Sequence, residues 1–255
     1  MRKGTFIIAT LVILAASGLS VASPALAQSE DKASNDWQFR IIPDFWLVGV
    51  SGDIRAGNLI DTTIDASFSD ILKSLDFGLM GAFQVRKGRV AFIFDGMYAK
   101  LSKDGLASGG LGESVRAGIK VRLYSFAVSY RILKGWAPLS IVGGIRVMPI
   151  QADLEVTSGI AEGTQTSGSN TSLDGFVGAS LAFPLMSRWT LEGYADIGTG
   201  DSKLTWQTLA GLSYKLSRTM SAKFGFRYLS IENEKPDFRT KIGIGGFYAG
   251  VGILL

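Results

Sequence analysis

Two neighbouring stretches, residues 76–85 and 90–101, alternate bulky apolar side chains with small or polar ones at a period of two. They are joined by the short basic segment 86–89 (RKGR). The bulky side chains that share one face are Phe77, Leu79, Phe83, Val85, Phe92 and Phe94. Because successive side chains of a β-strand point to opposite faces, this pattern predicts a β-hairpin with one apolar face and one face of small, polar or charged residues.

The same alternation recurs along the chain and predicts about ten strands, with eight or twelve as alternatives. The predicted strands cover residues 37–47, 76–85, 90–101, 117–133, 139–154, 173–183, 189–198, 204–216, 220–231 and 242–255. Short turns are expected at 86–89, 134–137, 184–188 and 217–219, and long polar connections at 52–65, 102–116, 155–172 and 232–241. An even number of strands with alternately short and long connections is typical of an antiparallel up-and-down barrel in the bacterial outer membrane.

The direction of the apolar face distinguishes two kinds of barrel. In a soluble ligand-carrying barrel or sandwich the bulky side chains fill the interior, whereas a membrane barrel turns them towards lipid and encloses small and charged ones. The mean hydropathy is positive at +0.25 and glycine is abundant at 32 residues. After residue 27, however, no apolar run approaches the ~20 residues that a spanning helix needs. The combination favours the membrane barrel, and a soluble secreted barrel is the alternative.

The N-terminus has the features of a secretory signal peptide. Two basic residues precede an apolar run at 6–19, and the segment 23–27 (SPALA) has the small-x-small form of a cleavage site. An anchoring helix is the alternative, but the run is marginal for a bilayer and Pro24 lies just before the motif. We therefore predict cleavage after Ala27. The predicted organisation is a signal peptide at 1–27, a polar segment at 28–35 and one barrel domain at 36–255.

One short helix is expected in the first long connection. Phe68, Ile71, Leu72 and Leu75 recur at helical spacing behind Ser67, a residue type that favours helix N-caps. The spacing predicts one or two helical turns at the mouth of the barrel. A lid or plug is one role for this helix, and simple loop packing is the favoured one.

Four segments resemble a family of small proteobacterial outer-membrane β-barrel proteins, most of whose members are uncharacterised. They are DFWLVGVSGDI at 44–54, the stretch 64–98, the stretch 173–198 and the closing strand that ends GGFYAGVGILL. The resemblance covers nearly all of the chain after the leader and implies an outer-membrane location, with outer-membrane lipid as partner. It implies nothing about activity, because the shared pattern marks strands and turns.

The closing strand also resembles the C-terminal signal read by the barrel-assembly machinery, which is the second partner that the resemblance implies. Such a signal combines a polar or aromatic residue, a glycine and two spaced apolar residues. The matching positions are Tyr248, Gly250, Ile253 and Leu255. These signals usually end in an aromatic residue, and Leu255 departs from that pattern.

Composition restricts the chemistry that the chain can perform. It contains neither histidine nor cysteine, so Ser-His and Cys-His nucleophile pairs, disulfides and thiolate metal sites are all excluded. Carboxylate-pair catalysis by Glu192 and Asp196, four residues apart on one strand, stays open. Loss of the two basic residues of the leader lowers the formal net charge from +4 to +2, which gives no indication of nucleic-acid binding. No cofactor is expected.

Acidic loop residues are the only candidates for a metal site. The two groups are Asp53, Asp61 and Asp65, and Glu232, Glu234 and Asp237. Neither group has the spacing of a calcium loop, so solvated loop charge is the favoured interpretation and no metal site is predicted.

The face opposite the bulky side chains carries ten ionisable residues, five basic and five acidic. They are Arg40, Asp44, Asp95, Arg131, Arg146, Asp174, Glu192, Asp196, Lys223 and Arg227. Charges enclosed in a narrow lumen are costly unless they are paired, so mixed signs in equal number predict a salt-bridged filling. A selective pore more often has one sign at its constriction. Small residues on the same face leave room for water, so a narrow channel is the alternative hypothesis. They are Gly78, Ala82, Ser125, Ala127, Ser129, Gly211 and Gly225.

Aromatic residues concentrate near the predicted strand ends, which is typical of the girdles at the two faces of a membrane. The set comprises Trp37, Trp46, Trp136, Trp189, Trp206, Tyr124, Tyr130, Tyr214 and Tyr228. The sequence as a whole favours a non-enzymatic envelope scaffold that presents extracellular loops. A narrow solute channel is the second hypothesis, and an enzyme that uses carboxylates is the third.

Overall fold

The computed structural model describes residues 36–56, 60–106, 114–158, 165–235 and 238–255. They form eleven β-strands and one α-helix. The strands are β1 (Trp37–Ala56), β2 (Ile60–Ala66), β3 (Leu75–Lys87), β4 (Val90–Leu106), β5 (Ser114–Leu133), β6 (Leu139–Ser158), β7 (Gln165–Pro184), β8 (Trp189–Gly200), β9 (Leu204–Lys215), β10 (Met220–Lys235) and β11 (Phe238–Leu254), and the helix is α1 (Phe68–Ser74). Among these residues, no helix is long and apolar enough to cross a membrane.

The strands pair in sequence order and close on themselves. Each of β3 to β11 is antiparallel to its neighbours, and β11 pairs with β1 over most of its length. The first part of β1, residues 37–43, pairs with 81–87 of β3 and completes a ten-stranded barrel. The far part, residues 50–56, pairs instead with the extra strand β2. The predicted closed antiparallel barrel is confirmed, with β2 as an addition that the sequence pattern did not resolve.

A stretch of β1 between these two ladders has a strand partner on one side only. Residues 44–49 pair with β11, and neither β2 nor β3 faces them on the other side. The ladder to β3 ends at Pro43, which has no amide hydrogen to donate. The chain crosses this place from β2 into α1, and the carbonyl of Ala66 lies 3.3 Å from the point where a Cβ on Gly49 would be.

The predicted short helix is present. The side chain of Ser67 accepts a hydrogen bond from the amide of Asp70, and the Asp70 carboxylate accepts one from the amide of Ser67, so the two residues form a capping box. The helix lies against β1, β2 and β4. None of its residues is buried, so α1 covers the barrel wall without entering the lumen.

The strands run farther than the alternation predicted. Parts of all four segments expected to be loops are strand, because β1, β4, β6 and β10 continue well past their apolar portions and pair with β2, β5, β7 and β11. Backbone hydrogen bonding needs no alternation of side chains, and alternation disappears where both faces of a hairpin meet water. The expected loops are therefore the far ends of long hairpins.

The outer face carries a continuous belt of exposed apolar side chains. Phe45 and Phe247 are among the most exposed, at 73% and 67% of their surface. Aromatic contacts border the belt, with Trp189 against Tyr214 near the short turns and Trp206 against Tyr228 towards the long hairpins. The remaining large exposed apolar residues of the belt include Phe39, Leu79, Phe83, Phe92, Phe126, Ile141, Ile145, Val177, Leu181, Leu191, Ile197, Phe224 and Phe226.

Candidate functional site in the barrel lumen

All ten ionisable residues assigned to the inner face are buried or half-buried, at positions that alternate with the exposed belt. The structure brings six of them together as three ion pairs: Arg146 with Asp196, Arg227 with Asp95, and Lys223 with Glu192. Asp174 and Asp44 form no ion pair of this kind within the described chain, and neither do Arg40 and Arg131.

Arg227 is the centre of the first group. Its guanidinium donates to both carboxylate oxygens of Asp95, at 2.7 and 3.3 Å, and twice to the side-chain oxygen of Gln207, at 2.9 and 3.2 Å. Its guanidinium carbon lies over the Trp46 ring, 4.9 Å from the ring centre. Asp44, two residues before Trp46, lies close enough to interact electrostatically with Asp95 and Arg227. Charge, planar hydrogen bonding and ring stacking together fix this arginine in place.

Arg146 is the centre of the second group. One terminal nitrogen donates to Asp196 at 2.7 Å, and the Tyr194 hydroxyl donates to the same carboxylate oxygen at 2.6 Å. The guanidinium carbon lies 4.8 Å from the ring centre of Phe176. Both charged side chains are almost completely buried, at 2% and 0% of their side-chain surface. Removal of one partner from a buried pair of this kind is strongly destabilising, because it leaves the other charge uncompensated.

Lys223 and Asp174 have different surroundings. The ammonium of Lys223 donates to Glu192 at 2.6 Å. Asp174 lies opposite Arg146 in the ladder between β6 and β7, yet its carboxylate accepts the backbone amide of Ser202 at 2.8 Å. Asp174 therefore holds the turn between β8 and β9 closed.

An apolar layer lies next to the ionic groups on the side of the long hairpins. On β1, β4, β6 and β10, a large apolar residue follows one inner ionic residue by two positions; the pairs are Asp44 and Trp46, Asp95 and Met97, Arg146 and Met148, and Arg227 and Leu229. These residues pack into one cluster with Leu123, Ile231 and Tyr248. Leu123 and Leu229 are completely buried, at 0% exposure. These side chains form a buried apolar cluster inside the barrel wall.

Two small inner residues that were expected to leave space are covered by a tyrosine. A Cβ on Gly211 would lie 2.1 Å from the hydroxyl of Tyr248, and one on Gly225 would lie 2.9 Å from its ring. At these positions the expectation of open space is wrong, because the ring reaches across from β11. Tyr248 therefore packs in the lumen.

The other residues matched to the assembly signal lie along the same strand. A Cβ on Gly250 would lie 2.7 Å from the Cβ of Asp44, so the glycine is required for close packing of β11 on β1. Leu255 is exposed, and its amide donates to the carbonyl of Phe39 at 2.9 Å. Ile253 is half-buried. Their role in assembly stays a prediction.

Sequence reasoning missed several groups that complete the ionic layer. Trp46 was assigned to a girdle, and this is wrong, because it is buried and stacks on Arg227. Gln207 and Tyr194 are hydrogen-bond partners that a count of charges could not reveal. Their alternation with exposed neighbours places all three on the inner face, and that signal was available in the sequence.

A second cluster of charges lies beyond the exposed belt, at the long-hairpin end. Lys203 donates to both Glu232 and Glu234, and Arg239 donates to Glu232 at 3.3 Å. Hydrogen bonding to Lys203 holds the pKa of Glu234 below its usual value. Partial burial opposes ionisation of Glu232, yet hydrogen bonds from Arg239 and Lys203 outweigh it and lower the pKa of this carboxyl. We call these four residues the rim cluster. Within the described residues, no group of three or more acidic side chains is arranged to bind a metal ion.

No family model matches the chain, and no curated protein matches it. Solved structures do resemble it. The outer membrane protease OmpT from Escherichia coli is similar over 87% of this chain and 98% of its own, with a TM-score of 0.55 and 8% identity. Ail from Yersinia pestis, in complex with a heparin analogue, is similar over 86% of this chain and 98% of its own, with a TM-score of 0.39 and 13% identity. The outer membrane protein OprG from Pseudomonas aeruginosa is similar over 85% of this chain and 95% of its own, with a TM-score of 0.32 and 11% identity.

At 8% identity, the likeness to OmpT shows a shared barrel fold and nothing about activity. The two likenesses with TM-scores below 0.5 do not bear on function.

Proposed function

We propose that this chain is a non-enzymatic integral protein of the bacterial outer membrane, a rigid envelope scaffold that presents its long hairpins at the cell surface. The proposal includes export by a signal peptide, removal of residues 1–27 and assembly through β11. It also includes membership of the small proteobacterial outer-membrane barrel family that the sequence resembles. The lack of histidine and cysteine in the chain is consistent with a role without nucleophilic catalysis.

The outer belt supports a membrane location. Exposed apolar surface costs about 25 cal/mol per Å² in water. Large apolar side chains such as Phe45, Phe92 and Phe247 are exposed on nine of the ten barrel strands, with β9 as the exception among the described residues. A monomer in water rarely carries a continuous apolar surface of this extent, whereas a membrane barrel requires one.

The observation that carries the scaffold role is the complete burial of residues in the centre of the lumen. Leu123 and Leu229 expose 0% of their surface, and the Arg146–Asp196 pair next to them is equally covered. Side chains that line a conducting pore must contact the water that carries the solute. The packed interior therefore supports a sealed barrel that acts through its surface.

Planar-bilayer recording of the refolded mature protein tests the seal. We expect no discrete openings from the native protein, and openings from a Leu123→Gly/Leu229→Gly variant in which the apolar layer is removed. The double variant is the control that shows insertion of the barrel into the bilayer. Reproducible openings of the native protein, with an ion selectivity that Asp196→Asn or Arg227→Gln changes, would establish the channel hypothesis instead.

Carbonate extraction of cell envelopes tests the location separately. We expect the mature chain to stay in the membrane pellet at alkaline pH, because its belt is held by lipid. Release into the supernatant, together with a folded soluble form, would support a secreted barrel.

A further inference from the structure

Three arginines of the inner face lie together near the short-turn end of the barrel. Arg86 on β3 comes two residues before the turn glycine Gly88, and Arg131 on β5 lies two residues before the end of its strand. Arg40 lies near the start of β1, opposite Gln84 in the ladder between β1 and β3. All three are half-buried. Their positions place three positive charges at the end of the lumen farthest from the long hairpins.

None of the three has an acidic partner among the described residues. The charges that act on Arg86 are those of Arg131 and Arg40, and both are positive. Nη1 of Arg86 and Nε of Arg131 are buried and have no hydrogen-bond partner. The other inner cations, Arg146, Lys223 and Arg227, each donate to a carboxylate. The three arginines therefore differ from the rest of the lumen in charge balance.

The floor between the arginines is made of small residues. Ala91 on β4 pairs with Arg86 on one side and with Ser129 of β5 on the other. Ala91 is completely covered, at 0% exposure, although it lies next to the short turn. Arg86 is its neighbour in the ladder to β3, and Arg131 follows Ser129 by two positions on the same face of β5. Small residues at this place let both guanidinium groups face the same space.

We propose that Arg40, Arg86 and Arg131 form a binding site for a multivalent oxyanion that enters from the short-turn end. A guanidinium donates two parallel hydrogen bonds to phosphate or carboxylate oxygens. Three adjacent positive charges, partly removed from water, favour an anion with two or more negative charges because its binding removes their mutual repulsion. The side-chain amide of Gln84 adds a neutral donor beside Arg40. The site depends on the barrel interior alone, so it stands whether or not the barrel conducts.

Calorimetric titration of the refolded mature chain in zwitterionic detergent at low salt tests the site. Inorganic pyrophosphate represents phosphate anions and citrate represents carboxylate anions, and the tighter of the two identifies the chemical source. We expect saturable binding with one anion per barrel. Arg86→Gln and Arg131→Gln should each weaken it roughly tenfold or more, because each removes a charge-assisted hydrogen bond.

The matched control is Arg89→Gln. Arg89 is exposed in the turn that follows Arg86, so the substitution removes one positive charge at the same end of the barrel without changing the lumen. Its effect on the dissociation constant should be less than twofold. Arg131→Lys should retain part of the affinity, since the charge remains while the planar pair of donors is lost.

Two results would overturn the proposal: no saturable binding of either anion by the native protein, or equal binding by an Arg40→Gln/Arg86→Gln/Arg131→Gln variant. Thermal unfolding separates loss of binding from loss of fold. Without anion, the triple variant should unfold at the same temperature as the native protein or higher, because it removes repulsion between like charges. With pyrophosphate or citrate, only the native protein should gain stability.

Discussion

Two regions of the same lumen differ in whether their positive side chains have acidic partners. Around β6, β8 and β10, the cations Arg146, Lys223 and Arg227 each meet a carboxylate, and the two arginines also lie over aromatic rings. Near the short turns of β3 and β5, Arg86 and Arg131 meet each other and no acid among the described residues. Alternation in the sequence places all of these side chains inside. The neighbouring strand then decides whether a charge stabilises the barrel or leaves a site for a ligand.

The largest expected effect comes from removing a cation from the paired region. Arg146→Gln leaves the buried carboxylate of Asp196 without its charge partner, and we expect a loss of about 3–5 kcal/mol in the free energy of unfolding. Denaturant unfolding of the refolded protein, followed by tryptophan fluorescence, measures it. Arg131→Gln is the comparison, and we expect it to be neutral or stabilising.

The double variant Arg146→Gln/Asp196→Asn tests the physical reason. It removes both charges, so it should recover much of the loss caused by the single substitution. If Arg146→Gln and Arg131→Gln were equally destabilising, the distinction between the two regions of the lumen would fail.

A smaller effect should come from the apolar layer beside the paired region. Leu229→Ala removes a fully buried side chain, and large-to-small substitutions of this kind cost about 2–5 kcal/mol. Leu181→Ala is the matched control, because Leu181 is exposed in the outer belt and its replacement leaves no cavity. Unfolding in detergent should therefore separate the two variants, and equal losses would mean that the centre of the lumen is not close-packed.

A carboxylate placed among the three arginines should convert that region into a paired one. Gln84 faces Arg40 across the ladder between β1 and β3, so Gln84→Glu should raise the free energy of unfolding by up to about 1 kcal/mol at neutral pH. The same substitution should weaken pyrophosphate binding, since one arginine gains an internal partner. Gln84→Met, which adds no charge, should leave the free energy of unfolding unchanged and should weaken binding less than Gln84→Glu, because it removes only the amide donor.

The smallest effect concerns the rim cluster. The pKa values of Glu232 and Glu234 are lowered in the folded protein, so their contribution is present above the unfolded-state pKa and is lost as the pH falls through the folded one. We therefore expect the unfolding midpoint to fall slightly on acidification below about pH 4.3, the ordinary pKa of glutamate. Lys203→Met should reduce this slope, and an unchanged slope would mean that the cluster is fully screened by solvent.

The sequence predicted most of the barrel and less of its interior. The period-two alternation was sufficient for the strands of the closed barrel, and the helical spacing behind Ser67 was sufficient for the helix. It could not reveal β2 or the far ends of the hairpins, because polar strands in water carry no alternation. The alternation also could not predict which side chains pair with each other inside the lumen. Arg227 and Asp95 are 132 residues apart, and only the curvature of the closed sheet brings them together.

The interrupted pairing of β1 has a consequence for the local strength of the barrel wall. Over residues 44–49 the wall is joined to β11 but not to β3, and α1 crosses at the same place. Local separation here would break fewer backbone hydrogen bonds than separation at any complete ladder of the described strands. Residues 44–49 of β1 are thus the most weakly paired place that we find in the described wall, with complete ladders before and after them and α1 beside them.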